Sequence, residues 1–155
     1  MSSKKRLLKK SLSSTGIGLA ALVLSVTALG GQASADVIEG VEVDDSIVSE
    51  HAEGITAGLP CINSTGVKTC FDKAGDKVYV KDTLADHKSA VGLWQTNYGR
   101  TGGCRNKHEA GTWAKCNYDM REEGHIQLQN ARYDGETNRF TCPNPRVYSV
   151  WLPIG

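Results

Sequence analysis

From Lys68 onward, polar and apolar residues alternate with a period of two, the signature of strands that bury one face. The clearest run is Ser89 to Asn97, where Val91, Leu93 and Gln95 alternate with Gly92, Trp94 and Thr96. Thr69 to Phe71 and Lys77 to Lys81 flank Asp72-Lys73-Ala74-Gly75-Asp76, a hairpin loop with a glycine available for positive φ. Thr112 to Asn117, Glu123 to Arg132, Asn138 to Thr141 and Arg146 to Leu152 continue the series, with Asp134-Gly135 as a turn signal. Pro143, Pro145 and Pro153 confine the last strands to edges or ends, because proline has no amide to donate. No stretch sustains a 3.6-residue period. About seven short strands at regular spacing predict an all-β fold, a small antiparallel β-sandwich or barrel.

The chain begins differently. Lys4, Lys5, Arg6, Lys9 and Lys10 precede an uncharged apolar run from Ile17 to Leu29, and Ala33-Ser34-Ala35 stands directly before Asp36. This is the layout of a secretory signal with an A-x-A cleavage site. The apolar run of about 13 residues is shorter than the roughly 20 needed to span a bilayer. Residues 1–35 are therefore expected to be a signal peptide, and the protein to be secreted and extracellular. Without them, the 18 basic residues fall by five to 13, against 17 acidic ones.

Charge is also segregated in what remains. Residues 36–59 carry Asp36, Glu39, Glu42, Asp44, Asp45, Glu50 and Glu53 and no Lys or Arg, leaving 13 basic against 10 acidic residues in 60–155. An acidic tail on a mildly basic body can fold back on it, engage a basic partner, or stay solvated. Residues 36–59 read as a flexible acidic extension with short strand potential, able to add to a sheet edge as a partner-binding segment. Its contact candidates are Val37, Ile38, Val41, Val43, Asp44, Asp45 and Ile47. The body, 60–155, reads as a disulfide-stapled β domain.

All five cysteines, Cys61, Cys70, Cys104, Cys116 and Cys142, follow the cleavage site and so mature where disulfides persist. The odd count leaves at least one thiol over, or paired with another chain. Cys104 with Cys116 is the favoured pair, since both flank a glycine-containing loop whose closure is worth about 3 kcal/mol. A weaker pairing, Cys70 with Cys142, leaves Cys61 as the spare.

No residue set names a reaction. Cys104, His108 and Cys116 have loose spacing for a metal, and an oxidised cysteine cannot ligate, so neither metal nor cofactor is expected. No G-x-S-x-G or cysteine-protease context accompanies His51, His87, His108 or His125. Asp119, Glu122, Glu123 and Asp134 form the carboxylate pool a glycoside hydrolase would draw on. The stretch from Trp94 through Tyr98, Arg100 and Arg105 to Trp113 has the composition of an exposed binding loop, unless both tryptophans are core. An acidic mature chain without a basic run gives no case for nucleic acid, and its polarity none for membrane insertion.

Residues 70–152 resemble a group of small secreted actinobacterial proteins through Cys70-Phe71, Gly75-Asp76, Val80-Lys81-Asp82, Asp86, Ser89-Ala90-Val91, Trp94, Tyr98-Gly99-Arg100, Cys104-Arg105-Asn106, Gly111-Thr112, Cys116-Asn117-Tyr118 and Arg132-Tyr133-Asp134. The resemblance implies a β-sandwich and supplies no activity. Ala131 stands where relatives are expected to have Cys, which leaves the partner of Cys142 or Cys70 open. The acidic extension, compact body and odd cysteine also resemble the layout of the adaptor in umbrella toxin particles, which links a lectin-bearing subunit to a toxin scaffold. The expected function is a secreted, non-catalytic adaptor whose partners are other secreted proteins. The alternatives are a hydrolase inhibitor acting through Arg100 to Lys107, or a small glycan hydrolase.

Overall fold

The computed structural model describes residues 36–46, 48, 58–144 and 148–155. The expected signal peptide and Ile47 therefore lie outside the described residues. The described residues form eleven strands: β1 (Asp36–Glu39), β2 (Val41–Val43), β3 (Cys61–Ser64), β4 (Val67–Asp72), β5 (Lys77–Asp82), β6 (Lys88–Thr96), β7 (Thr101–Asn106), β8 (Trp113–Asn117), β9 (His125–Asp134), β10 (Arg139–Thr141) and β11 (Leu152–Pro153). They form two sheets that share a core and do not close into a barrel. The first runs β1-β7-β6-β9-β10, with β11 also on β9, and the second β2-β8-β5-β4-β3. Every pairing is antiparallel except β1 on β7.

Period-two alternation sets the inner faces. On β6, Ala90 and Trp94 point into the core, where they meet Phe71, Val78, Val80, Ile126, Leu128 and Ile154. Burying each large side chain contributes roughly 1.5–3 kcal/mol. Two buried asparagines fix the register where apolar contacts alone would let strands slip. Asn130 donates to the Val67 carbonyl at 3.1 Å and accepts from Thr69 Oγ1 at 2.6 Å. Asn106 donates to the carbonyls of Val80 and Thr112, while its Oδ1 accepts from the His108 amide at 2.9 Å. Replacing either would orphan several buried partners, at about 1–3 kcal/mol each.

Three expectations require correction. The glycine-rich Arg100 to Lys107 stretch is not an exposed loop: residues 101–106 are β7, hydrogen-bonded to β6 on one side and β1 on the other. Its glycines are there for close packing, since a Cβ on Gly102 would lie 2.3 Å from the Trp94 ring. The second disulfide joins Cys61 to Cys70, not Cys70 to Cys142, because the β3–β4 register sets these two directly opposite, with Cα atoms 4.0 Å apart. Cys142, just beyond β10 at the far edge of the other sheet, is the free thiol, and burial raises its pKa. Finally, the expected strand over Arg146 to Leu152 contributes only the β11 pairing of Leu152 and Pro153, with Arg146 outside the described residues. Cys104–Cys116 is present as expected and ties β7 of one sheet to β8 of the other.

Gly102→Ala should lower unfolding stability by about 1–3 kcal/mol through overpacking against Trp94. Gly135→Ala, whose Cβ would meet nothing nearer than Tyr133 at 4.0 Å, should change it by less than about 0.5 kcal/mol. Urea denaturation of the two variants checks the contrast.

Candidate functional site

The acidic N-terminal segment does add to a sheet edge, and the edge belongs to its own chain. β1 closes the β7 edge of the first sheet and β2 the β8 edge of the second, so residues 36–43 form a strap across one side of the sandwich. Its crossing point is Gly40, which donates its amide to the Arg105 carbonyl at 2.9 Å. A Cβ there would sit 2.8 Å from Ala114 Cβ and 3.0 Å from Cys104 Sγ, so the strap passes directly over the inter-sheet disulfide.

Beyond β2 the chain reaches the outer face of the second sheet. Strand register places Lys68, Lys81, Trp113 and Val43 in one row across that face, and Cys61, Cys70, Tyr79, Lys115 and Val41 in the next. Val48 and Leu59 pack there with Cys70, Tyr79 and Trp113 as a second, smaller core. Asp45 accepts a hydrogen bond from Trp113 Nε1 at 2.5 Å and pairs with Lys81 Nζ at 2.8 Å. The ammonium groups of Lys68 and Lys81 lie 5.6 and 5.5 Å from the Trp113 ring centre. Asp45, Lys68, Lys81, Trp113 and the Cys61–Cys70 bridge line a hollow of about 360 Å³.

Further ion pairs hold the strap from its acidic side. Glu39 bonds to Lys107, and Glu42 lies 3.5 Å from His108 Nδ1, while His108 Nε2 sits 3.2 Å from the Gly40 carbonyl. Hydrogen bonding to Lys107 lowers the Glu39 pKa, and hydrogen bonding to Lys81 and then Trp113 lowers that of Asp45. The segregated charge noted in the sequence thus finds its opposite within the chain.

The other candidates are dispersed. Trp94 is core, edge-on to Tyr118 at 4.8 Å, and the Arg100 guanidinium lies 5.5 Å from its ring centre while bonding to the Asp119 carbonyl. Arg105 bonds to Ser89 Oγ at 3.0 Å and stacks 4.0 Å over Tyr133, and Tyr98 packs under Arg121. These four residues support the fold and do not form one binding loop. Asp44 is exposed at the end of β2. Asp119, Glu122 and Glu123 lie between β8 and β9, whereas Asp134 is at the far end of β9, roughly 30 Å away for a strand of this length. A larger hollow of about 500 Å³ is lined by Asp82, Asp86, His87, Lys107, His108 and Glu109. Asp86 pairs with Arg132 and Lys107 with Glu39, and His108 Nδ1 lies 3.5 Å from Glu42. Burial raises the pKa of Asp82, which accepts from the Leu84 amide at 3.0 Å.

As a site residue, Trp113 stands out in the sequence only as the end of the Trp94 to Trp113 stretch, and Lys68 and Lys81 not at all. The only other signal there was three outward positions on strands that pair in the fold. Among the described residues no helix is long and apolar enough to cross a membrane.

These features define a two-sheet, disulfide-stapled β-sandwich with an acidic N-terminal strap laid over a basic, aromatic face. No family model, curated protein or solved structure matches the chain.

The lowered Asp45 pKa fixes the sign of a pH effect. A carboxylate with a depressed folded-state pKa favours the docked strap above its ordinary value of 3.8, and the contribution is lost as pH falls through the folded value. The Trp113 indole N–H resonance should therefore titrate below pH 3.8, and Asp45→Asn should abolish that titration.

Proposed function

We propose that this chain is a secreted, non-catalytic binding module, an adaptor subunit of a larger extracellular assembly of the umbrella-toxin kind, and that it engages its partner through the acidic segment 36–59. The observation that carries this reading is how lightly the strap is held. It occupies an edge of each sheet, and none of residues 36–46 is fully buried. Its ion pairs are surface pairs of the kind worth about 0–1 kcal/mol each and weakened by salt. What holds it is a main-chain ladder, which any other sheet edge also offers, together with the packing of Ile38 on the main core and of Val43 and Val48 on the second.

Release of the strap has two consequences for binding. Val37, Ile38, Val41 and Val43 become an extended strand with alternating side chains, ready to add to a partner. At the same time the β7 and β8 edges become open to a strand from elsewhere. With Val48 freed from the second core and Leu59 still anchored there, the residues between Val43 and Leu59 reach roughly 50 Å when extended, enough to carry the strap to a neighbouring subunit. Both disulfides suit an oxidising, extracellular setting, and Cys142 offers a thiol for a bond to a second chain.

The test is a strap that cannot leave. Val41 and Lys115 are register partners on β2 and β8, so Val41→Cys with Lys115→Cys would fasten it covalently. Wild type and locked protein, each tagged at Gly155, are recovered from native culture medium and their bound proteins identified by mass spectrometry. The expected result is a stable partner on the wild type that is lost, by at least tenfold in yield, on the locked form. Recovery of the wild type alone, or equal capture by both forms, would overturn the proposal.

A further inference from the structure

Lys68 and Lys81 are direct cross-strand partners on β4 and β5. Two like charges placed opposite one another on the same face of a sheet repel. Both ammonium groups also lie within 5.6 Å of the Trp113 ring centre, and the indole N–H bonds to Asp45, which lines the same hollow. Three donors converging beside an aromatic face are arranged for an anion with a planar acceptor group. In this chain that anion is Asp45, whose carboxylate oxygen receives both the Trp113 N–H and the Lys81 ammonium. Asp45 itself is largely exposed, with 69% of its side chain accessible, and sits just beyond the end of β2. The buried Trp113 and the partly buried Lys81 thus hold a solvent-facing residue just past the end of the strap.

We propose that Lys68, Lys81 and Trp113 form a carboxylate-recognition site, occupied in cis by Asp45, and that a carboxylate on a partner's extended segment takes this place when the strap leaves. The inference rests on the reading of the strap as releasable and adds what the vacated face recognises. The site is built on rigid elements. Trp113 is 5% exposed, on β8 between β2 and β5, and it lines the hollow together with the Cys61–Cys70 bridge, packed on the buried Tyr79. Removing Asp45 leaves the two lysines facing each other with their counterion gone, so the face gains affinity for a replacement. In the intact chain the tethered aspartate competes at a high effective concentration, so the site is masked until the strap moves. Strap departure and partner docking are thereby coupled through one carboxylate position.

Asp45→Ala opens the site by removing a largely exposed side chain. The full chain, labelled with ¹⁵N, shows three indole N–H signals, from Trp94, Trp113 and Trp151. N-acetyl-aspartate amide, carrying a side-chain carboxylate, and N-acetyl-alanine, carrying a chain-terminal one, are titrated into wild type, Asp45→Ala and Asp45→Ala/Lys81→Met. Sodium chloride at equal ionic strength is the blank. The expected result is a saturable movement of the Trp113 signal in Asp45→Ala, at a Kd at least tenfold below that of wild type. It should be lost in the double variant. The carboxylate that saturates at lower concentration identifies whether a side chain or a chain terminus is preferred. Asp45→Asn repeats the test should Asp45→Ala lose amide dispersion. Linear shifts without saturation, equal behaviour of wild type and Asp45→Ala, or saturation that survives Lys81→Met would overturn the site. Saturable binding alongside equal capture by wild type and locked protein would keep this site and remove the adaptor reading. The converse pattern would keep the adaptor and remove the site.

Discussion

The Cys104–Cys116 bridge is the constraint on which the rest of the molecule depends. It joins β7 of one sheet to β8 of the other, so the two strands that receive the strap are covalently held side by side. Closing a ring of this size in the unfolded chain is worth about 3 kcal/mol, a large share of the stability of a small domain. Ala114 and the Cys104 sulfur leave room above them only for a residue without a side chain, and Gly40 is that residue. The strap's path, the pairing of β1 and β2 with opposite sheets, and the delivery of Asp45 to the Trp113 hollow all follow from the position of this crossing.

Much of the sandwich is legible in the sequence, because alternation reports directly on half-buried strands. β4, β5, β6, β8 and β9 fall where the period-two runs and turn residues place them, and Asp134 caps the turn before β10 by accepting from the amides of Glu136 and Thr137. What escapes are strands whose side chains are shaped by a neighbour. β7 reads as a loop because Gly102 and Gly103 erase its alternation, and only the facing Trp94 explains them. β3 escapes because it has four residues, and with it goes the Cys61–Cys70 bridge. The Ser64-Thr65-Gly66 turn, with Gly66 at φ +84°, was the one local clue that these cysteines face each other.

The candidate site was half legible. Charge segregation between residues 36–59 and the body left three courses open, folding back, engaging a basic partner or staying solvated, and the alternating valines pointed to strand addition. Where the tail docks could not be read, since the receiving face is assembled from Lys68, Lys81 and Trp113 on three different strands. The two tryptophans divide accordingly. Trp94 fills the space between the sheets, whereas Trp113 floors an outward hollow and gives its indole N–H to the strap.

On the proposed function, the strap is an ordered but separately opening part of the native sandwich. Native-state amide hydrogen exchange, followed residue by residue at low denaturant, measures this directly. The amides of residues 37–43 should be protected, yet exchange through an opening of lower free energy than those of β4, β5 and β6. Exchange of all these amides at one common, global free energy would contradict it. So would strap amides that exchange at the unprotected rate.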